Sequence, residues 1–300
     1  MNARLRALER GDLPAARALL ADACHFDPAA AVAEEKLFGA APAGASEPIG
    51  AFDDGGALEG LAVTSARWLR LLAVAPGARG RGIGSALLVA AERAIAAHGT
   101  PRARTMDQPG NYLAPGVAAG NADAIAWLER RGYARADENT NLAIDLAHNP
   151  RVTAARADEL ADRAAGRGYD VRRARADERP ALAAAVTAAF GRAWGFEVER
   201  ALDADPPAVH VAHARATGEL AAFAAHDGNN RGLGWFGPAG TFEAHRGAGL
   251  GEALLVACLV DVAATGATRA TIAWIGPRAF YEKTAGIAGE ARYVVMTKEL

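Results

Sequence analysis

Cysteine is scarce. Only Cys24 and Cys258 occur in 300 residues, in separate parts of the chain, which excludes a disulfide framework and a cysteine-based zinc pattern; no metal is expected. Cys258 falls on an apolar helix face and reads as core. Excess charge of one sign is also missing: the net charge is −2 and basic residues are spread along the chain, so nothing points to nucleic acid or to an anionic membrane surface. No run of about 20 apolar residues is present, so no membrane span is expected. The N-terminus lacks a basic segment followed by an apolar run, so no signal peptide is expected and the cytoplasm is the default location.

What the chain does have is a 51% hydrophobic and 23% charged composition. That fits a soluble globular protein with ample core and about two domains. One short stretch occurs twice. Arg79-Gly80-Arg81-Gly82-Ile83-Gly84-Ser85 follows the apolar run that ends in Leu72-Ala73-Val74, and Arg246-Gly247-Ala248-Gly249-Leu250-Gly251 follows Gly240-Thr241-Phe242. Each leads into an amphipathic helix: Leu87, Leu88, Ala91 and Ile95 share one face, and Leu254, Leu255, Cys258, Leu259 and Val262 another. Gly99 and Gly266 stop the two helices.

Strand, glycine loop and helix together make a phosphate site. The first helical turn leaves N–H groups without partners, the helix dipole makes that end positive, and glycines let a ligand approach the backbone. An arginine adds a permanent charge and a fork of donors. The spacing is Arg-x-x-Gly-x-Gly, neither the dinucleotide fingerprint nor a P-loop. A ligand-free glycine turn is the plain alternative for one such loop, and its repetition in matching contexts weighs against it.

This loop resembles the acyl-coenzyme A loop of the GNAT acetyltransferases, most strongly over Val74 to Leu88. The resemblance implies an α+β fold with a mixed sheet, acetyl-CoA as donor and a small-molecule amine as acceptor. The order of elements repeats: strand, helices, hairpin, strand, loop, helix, strand, helix, strand. Arg79 and Arg246 lie 167 residues apart, too far for a solenoid unit. We therefore expect two tandem GNAT-like domains, at 1–148 and 169–300, with a helical linker at 149–168. Gln108 to Gly120 reads as a Pro/Gly-rich loop, and two strands are expected to close the first half near Ala147.

A second family-like segment follows each loop. Asn121 opens the first and is a candidate coenzyme A contact. The family's tyrosine, seven residues on, falls at Leu128; in the second half it is present as Tyr281, with Trp274 at the asparagine position. Acetyl transfer to an amine needs a proton removed, an oxyanion held and a leaving thiolate protonated. Tyrosine can donate that proton and leucine cannot, so Tyr281 is the expected general acid and the second half the expected catalytic one. Backbone N–H groups near Gly240 to Phe242 are expected to hold the oxyanion. The first half then binds coenzyme A, has an activity of its own or is a structural remnant. The base stays open: Asp227 is the first candidate, Glu243 and His245 weaker ones. Asn229 and Asn230 are candidates to hydrogen-bond a sugar, and Trp235 and Trp274 to stack on one. Trp235, Trp274 and Tyr281 in their contexts also resemble tandem-GNAT glucosaminide N-acetyltransferases, which implies an amino-sugar acceptor. The alternatives are an aminoglycoside, a mycothiol-type precursor, a protein N-terminus, or a non-catalytic acyl-CoA sensor.

Overall fold

The computed structural model describes residues 3–300. The chain forms two compact units: Met1–Asn139 together with Arg292–Leu300, and Thr140–Ala291.

The first unit runs β1 (Arg4–Ala7), α1 (Leu13–Ala23), α2 (Ala33–Phe38), β2 (Glu47–Phe52), β3 (Leu58–Ser65), β4 (Trp68–Val74), α3 (Ile83–Ala97), β5 (Arg102–Thr105), β6 (Val117–Ala118), α4 (Ala122–Glu129) and the start of β7 (Ala134–Asp145). Pro14 sits in the first turn of α1, where a missing N–H costs little. β1 to β4 pair antiparallel in order, and β4 pairs parallel with β5.

The second unit repeats this plan. It contains α5 (Ala154–Ala165), β8 (Tyr169–Arg173), α6 (Arg179–Phe190), α7 (Arg192–Ala201), β9 (Val209–Ala214), β10 (Leu220–His226), β11 (Trp235–Thr241), α8 (Leu250–Ala264), β12 (Arg269–Ile272) and α9 (Arg278–Ala285). β8 to β11 are antiparallel and β11 pairs parallel with β12.

The strand that follows the parallel pair in each unit comes from the other half of the sequence. β5 pairs antiparallel with Thr297–Glu299 of the C-terminal strand β13 (Gly289–Glu299). β12 pairs antiparallel with Leu142–Asp145 of β7. A single long strand therefore replaces the two expected near Ala147. The expected boundaries follow chain order, whereas the contacts follow the exchanged strands.

The two loop-helices anchor the cores. α3 buries Ile83, Leu87, Leu88, Ala91 and Ile95. α8 buries Leu250, Leu254, Leu255, Cys258, Leu259 and Val262 against its sheet, and also Ala253 and Val256 on its outer side. Complete burial of one such aliphatic side chain stabilises by roughly 1.5–3 kcal/mol. The outer side is covered by α5, whose Leu160 packs on Ala253 and Val256. The residue at the matching place in α3, Val89, is 46% exposed. The segment expected as a linker is thus a packed helix of the second unit, capped by Thr153, whose hydroxyl accepts from the Arg156 N–H at 3.1 Å.

Candidate active site

Both parallel strand pairs part company early. β4 and β5 are in register only at Trp68–Arg104 and Leu69–Thr105, and β11 and β12 only at Trp235–Thr271 and Phe236–Ile272. Beyond those residues the C-terminal halves of β4 and β11 keep a partner on one edge alone. The Phe242 N–H donates to the Ala221 carbonyl at 3.0 Å, and the Ala75 N–H to that of Glu59 at 2.9 Å. Bonds alternate along an antiparallel ladder, so Ala239 and Thr241, like Leu72 and Val74, turn their N–H groups away from the neighbouring strand. The open amides are therefore those of Ala239 and Thr241. Gly240 and Phe242, expected beside Thr241 as oxyanion donors, face β10.

The loops come next. Gly80, Gly82, Gly247 and Gly249 all have φ between +77° and +85°, which glycine alone adopts at little cost. A Cβ placed on Gly80, Gly82 or Gly247 would meet nothing within 4 Å. The conformation and the open space both suit a ligand lying on the backbone at the start of α3 or α8. The arginines differ. Arg79 donates to the carbonyls of Val74 (3.2 Å) and Ala23 (3.4 Å), and Arg81 pairs with Glu59 at 2.5 Å. Arg246 is exposed, with no side-chain partner among the described residues. Ser85 accepts from Arg131 at 2.8 Å. Asn121 caps α4, accepting from the Ala124 N–H at 3.3 Å.

The segment after each loop-helix lines up through its contacts. A Cβ on Gly84 would lie 3.3 Å from Trp127, and one on Gly251 3.5 Å from Phe280. The residues that follow are Leu128, buried in the first core, and Tyr281. Tyr281 is half-buried with its ring edge-on to Phe280, centroids 5.1 Å apart. Burial raises its pKa, which keeps the hydroxyl protonated as a donor must be.

The other candidates separate. Asp227 sits in the bend after β10 at φ +52°; its Oδ1 accepts from the Gly232 N–H at 3.1 Å and its Oδ2 lies 3.1 Å from Nδ1 of His226. Both oxygens hold the bend. Asn229, Asn230 and Trp235 are buried, while Trp274 is 36% exposed and its backbone N–H donates to Oδ1 of Asn141 at 2.8 Å. Glu243 is exposed, and His245 lies 3.3 Å from the Tyr169 hydroxyl.

Two clusters escape sequence reading. Under α8, Asp261 accepts from Arg173 (2.6 Å) and lies 2.7 Å from Nε2 of His210 and 3.4 Å from Nε2 of His226. Burial opposes ionisation of Asp261, but the two histidines outweigh it and hold the carboxyl well below its usual range. Burial lowers and the neighbouring Asp227 and Asp261 carboxylates raise the pKa of His226, with a net rise. In the first unit, the long segment after β5 is buried over most of 107–118. Buried Lys36 donates to Glu35 (2.7 Å) and to Oδ1 of Asn111 (2.9 Å), while buried Arg70 donates to Ser46 and to the Asn111 carbonyl, both at 2.5 Å. Tyr112 is buried with this segment. The loop expected at 108–120 is thus packed into the unit, β6 included. The corresponding stretch of the second unit, between β12 and α9, is only five residues long.

Residues 31–135 match the model of the acetyltransferase (GNAT) domain family. Solved structures share the fold over 99% of this chain. One is a glucosamine N-acetyltransferase region of a fungal multi-domain GH3 β-N-acetylglucosaminidase (19% identity, TM-score 0.76), of which this chain spans 38%. Another is a GCN5-related N-acetyltransferase from Sphaerobacter thermophilus (21% identity, TM-score 0.69, 95% of that chain). A third is a tandem GNAT protein from the clavulanic acid biosynthesis pathway (20% identity, TM-score 0.68, 98% of that chain). No curated protein matches the sequence. The class these findings define is one of fold: residues 31–135 match a GNAT acetyltransferase domain, and the whole chain shares the fold of tandem GNAT proteins. The family model falls on the first unit, and the second carries the same strand, loop and helix. Among the described residues no helix is long and apolar enough to cross a membrane.

Proposed function

We propose that the protein transfers the acetyl group of acetyl-CoA to a primary amine of an amino sugar, and that the second unit does the chemistry. One observation carries the second part: Tyr281, with its proton held by burial, stands where the first unit has a buried leucine. In this reading acetyl-CoA supplies the thioester. The loop amides from Gly247 to Gly251 and the Arg246 guanidinium hold its pyrophosphate. The open edge of β11 pairs with the amides of its pantetheine arm as an added strand would. The Ala239 and Thr241 N–H groups face the carbonyl oxygen as charge develops there. Tyr281 protonates the departing thiolate. Water or a side chain other than Asp227 takes the proton from the amine, because the Asp227 oxygens are engaged in their bend. In the first unit the same donor binds without transfer.

The amino-sugar acceptor is supported by the glucosamine N-acetyltransferase region among the similar structures and by the exposed Trp274 ring as a stacking surface. Release of free thiol on mixing the protein with acetyl-CoA and glucosamine tests the proposal. Release is expected, and Gly249→Val should suppress it. Release with other primary amines but not with glucosamine or its oligomers would move the acceptor class. Tight acetyl-CoA binding with no turnover on any amine would make the protein a sensor.

A further inference from the structure

The two loops differ at one position with a chemical consequence. In the first, Arg81 places a guanidinium beside the loop, and its charge is cancelled by Glu59 at 2.5 Å. In the second both partners are alanine. Ala248 stands at the Arg81 position, and Ala221, whose carbonyl receives the Phe242 N–H, stands at the Glu59 position.

A guanidinium nevertheless reaches the second loop from elsewhere in the sequence. Nη1 of Arg167 donates to the Ala248 carbonyl at 2.8 Å and would lie 2.9 Å from a Cβ on Gly249. Its approach is built into the fold. α5 is seated on α8 through Leu160, Ala253 and Val256 and fastened by Arg156 to Glu252 at 2.8 Å. The turn that ends α5 is closed by the N–H groups of Gly166, Arg167 and Gly168 donating to Asp162, Ala164 and Ala165 at 2.9–3.0 Å. Arg167 therefore emerges at the N-terminal end of α8. Glu252, in the first turn of α8, is already matched by Arg156, with Arg163 a further 4.0 Å contact. No carboxylate pairs with Arg167 among the described residues, and its side chain is exposed. Its one partner is a neutral carbonyl, a weaker acceptor than a phosphate oxygen.

From this geometry we infer that Arg167 is a second cationic ligand of the pyrophosphate site in the second unit. Without an anion it rests on the Ala248 carbonyl, and it turns to the phosphate oxygens when the donor binds. The helix preceding the second unit thus completes that unit's donor site. This rests on the reading of the second loop as the acetyl-CoA site.

The test is calorimetric titration of the full chain carrying Gly82→Val, so that the second loop alone reports. The titrants are acetyl-CoA, acetyl-3′-dephospho-CoA and acetyl-pantetheine. Arg167→Ala should weaken the first two about tenfold each, the loss of one charge-assisted contact, and leave acetyl-pantetheine, which has no pyrophosphate, unchanged. Arg167→Lys should fall between, since it keeps charge without the fork. The KM for acetyl-CoA in turnover, measured without Gly82→Val, should move by the same factor. Unchanged affinity in Arg167→Ala would overturn the inference, and so would a loss confined to the titrant bearing the 3′-phosphate. If the Gly82→Val protein bound no acetyl-CoA, or bound it equally well with Gly249→Val added, the reading of the loop would fail instead.

Discussion

The two units share a strand order, a pair of left-handed glycines and a loop-helix, yet they differ in what surrounds the loop. In the first unit Arg79 and Arg81 are occupied by carbonyls and by Glu59, the segment 107–118 is buried, and Leu128 fills the tyrosine position. In the second unit Arg246 has no side-chain partner, the stretch from β12 to α9 is short, and Tyr281 keeps its proton. On the function proposed above, a fold preserves a binding loop while its surroundings decide whether bound donor reacts. The loop depends on backbone conformation, which glycines secure locally. Reactivity depends on side chains that any packing change can remove.

The largest expected effect probes what holds the second unit together. Asp261→Ala leaves Arg173 and His210 without their carboxylate and His226 with Asp227 alone. Removal of one partner from a fully buried ionic cluster costs about 3–5 kcal/mol; here Arg173 is 32% exposed and His226 keeps Asp227, so a loss of about 2 kcal/mol is expected. Denaturant unfolding followed by hydrogen exchange in α8 should show that loss, with α3 unaffected. Next comes the chemical difference. Tyr281→Phe should lower kcat about 10–100-fold with little change in KM for acetyl-CoA, while Leu128→Ala should leave kcat within the range explained by stability. Equal turnover of Tyr281→Phe and parent, with chemistry rate-limiting, would erase the proposed division of labour.

A third experiment uses the matched valines. Val256→Ala, under α5, should cost about 2 kcal/mol of stability, and Val89→Ala, on the open face of α3, less than about 0.5 kcal/mol. Comparable losses would mean that α3 is covered as α8 is. The smallest effect is on pH dependence. Because the pKa of His226 is raised in the folded protein, its contribution is complete below its unfolded value of about 6.5 and fades as pH rises through the folded value. Asp261 is depressed, so its contribution is present above about pH 3.9 and fades as pH falls. The melting temperature of the second unit should peak between those limits, and His226→Gln should flatten the alkaline side. An unchanged alkaline limb in His226→Gln would remove the histidine from this account.

Much of the plan was legible in the residues. Arg-x-x-Gly-x-Gly after an apolar strand and before a 3.6-period helix specifies local backbone conformation, so both loops, both helices and their glycine stops could be placed by pattern. The Leu128 and Tyr281 contrast was legible too, because it is a difference at one sequence position. What lay out of reach depends on partners distant in sequence. Nothing local says that Leu142–Asp145 and Thr297–Glu299 pair with strands of the other half, since any alternating apolar strand suits either edge. Asp227 read as a candidate base because its neighbours in the sequence do not reveal that Gly232 and His226 take its oxygens. Trp235 read as a stacking surface and is buried.

The sequence by itself determined that the chain carries two glycine loops, each opening a helix, on two similar units, because glycine stereochemistry and helix periodicity are local. Only the tertiary structure decided that α5 lies on α8 and brings Arg167 to the second loop, and that the segment 107–118 is packed away. Burial and charge pairing are sums over residues far apart in the chain, and no stretch of sequence contains them.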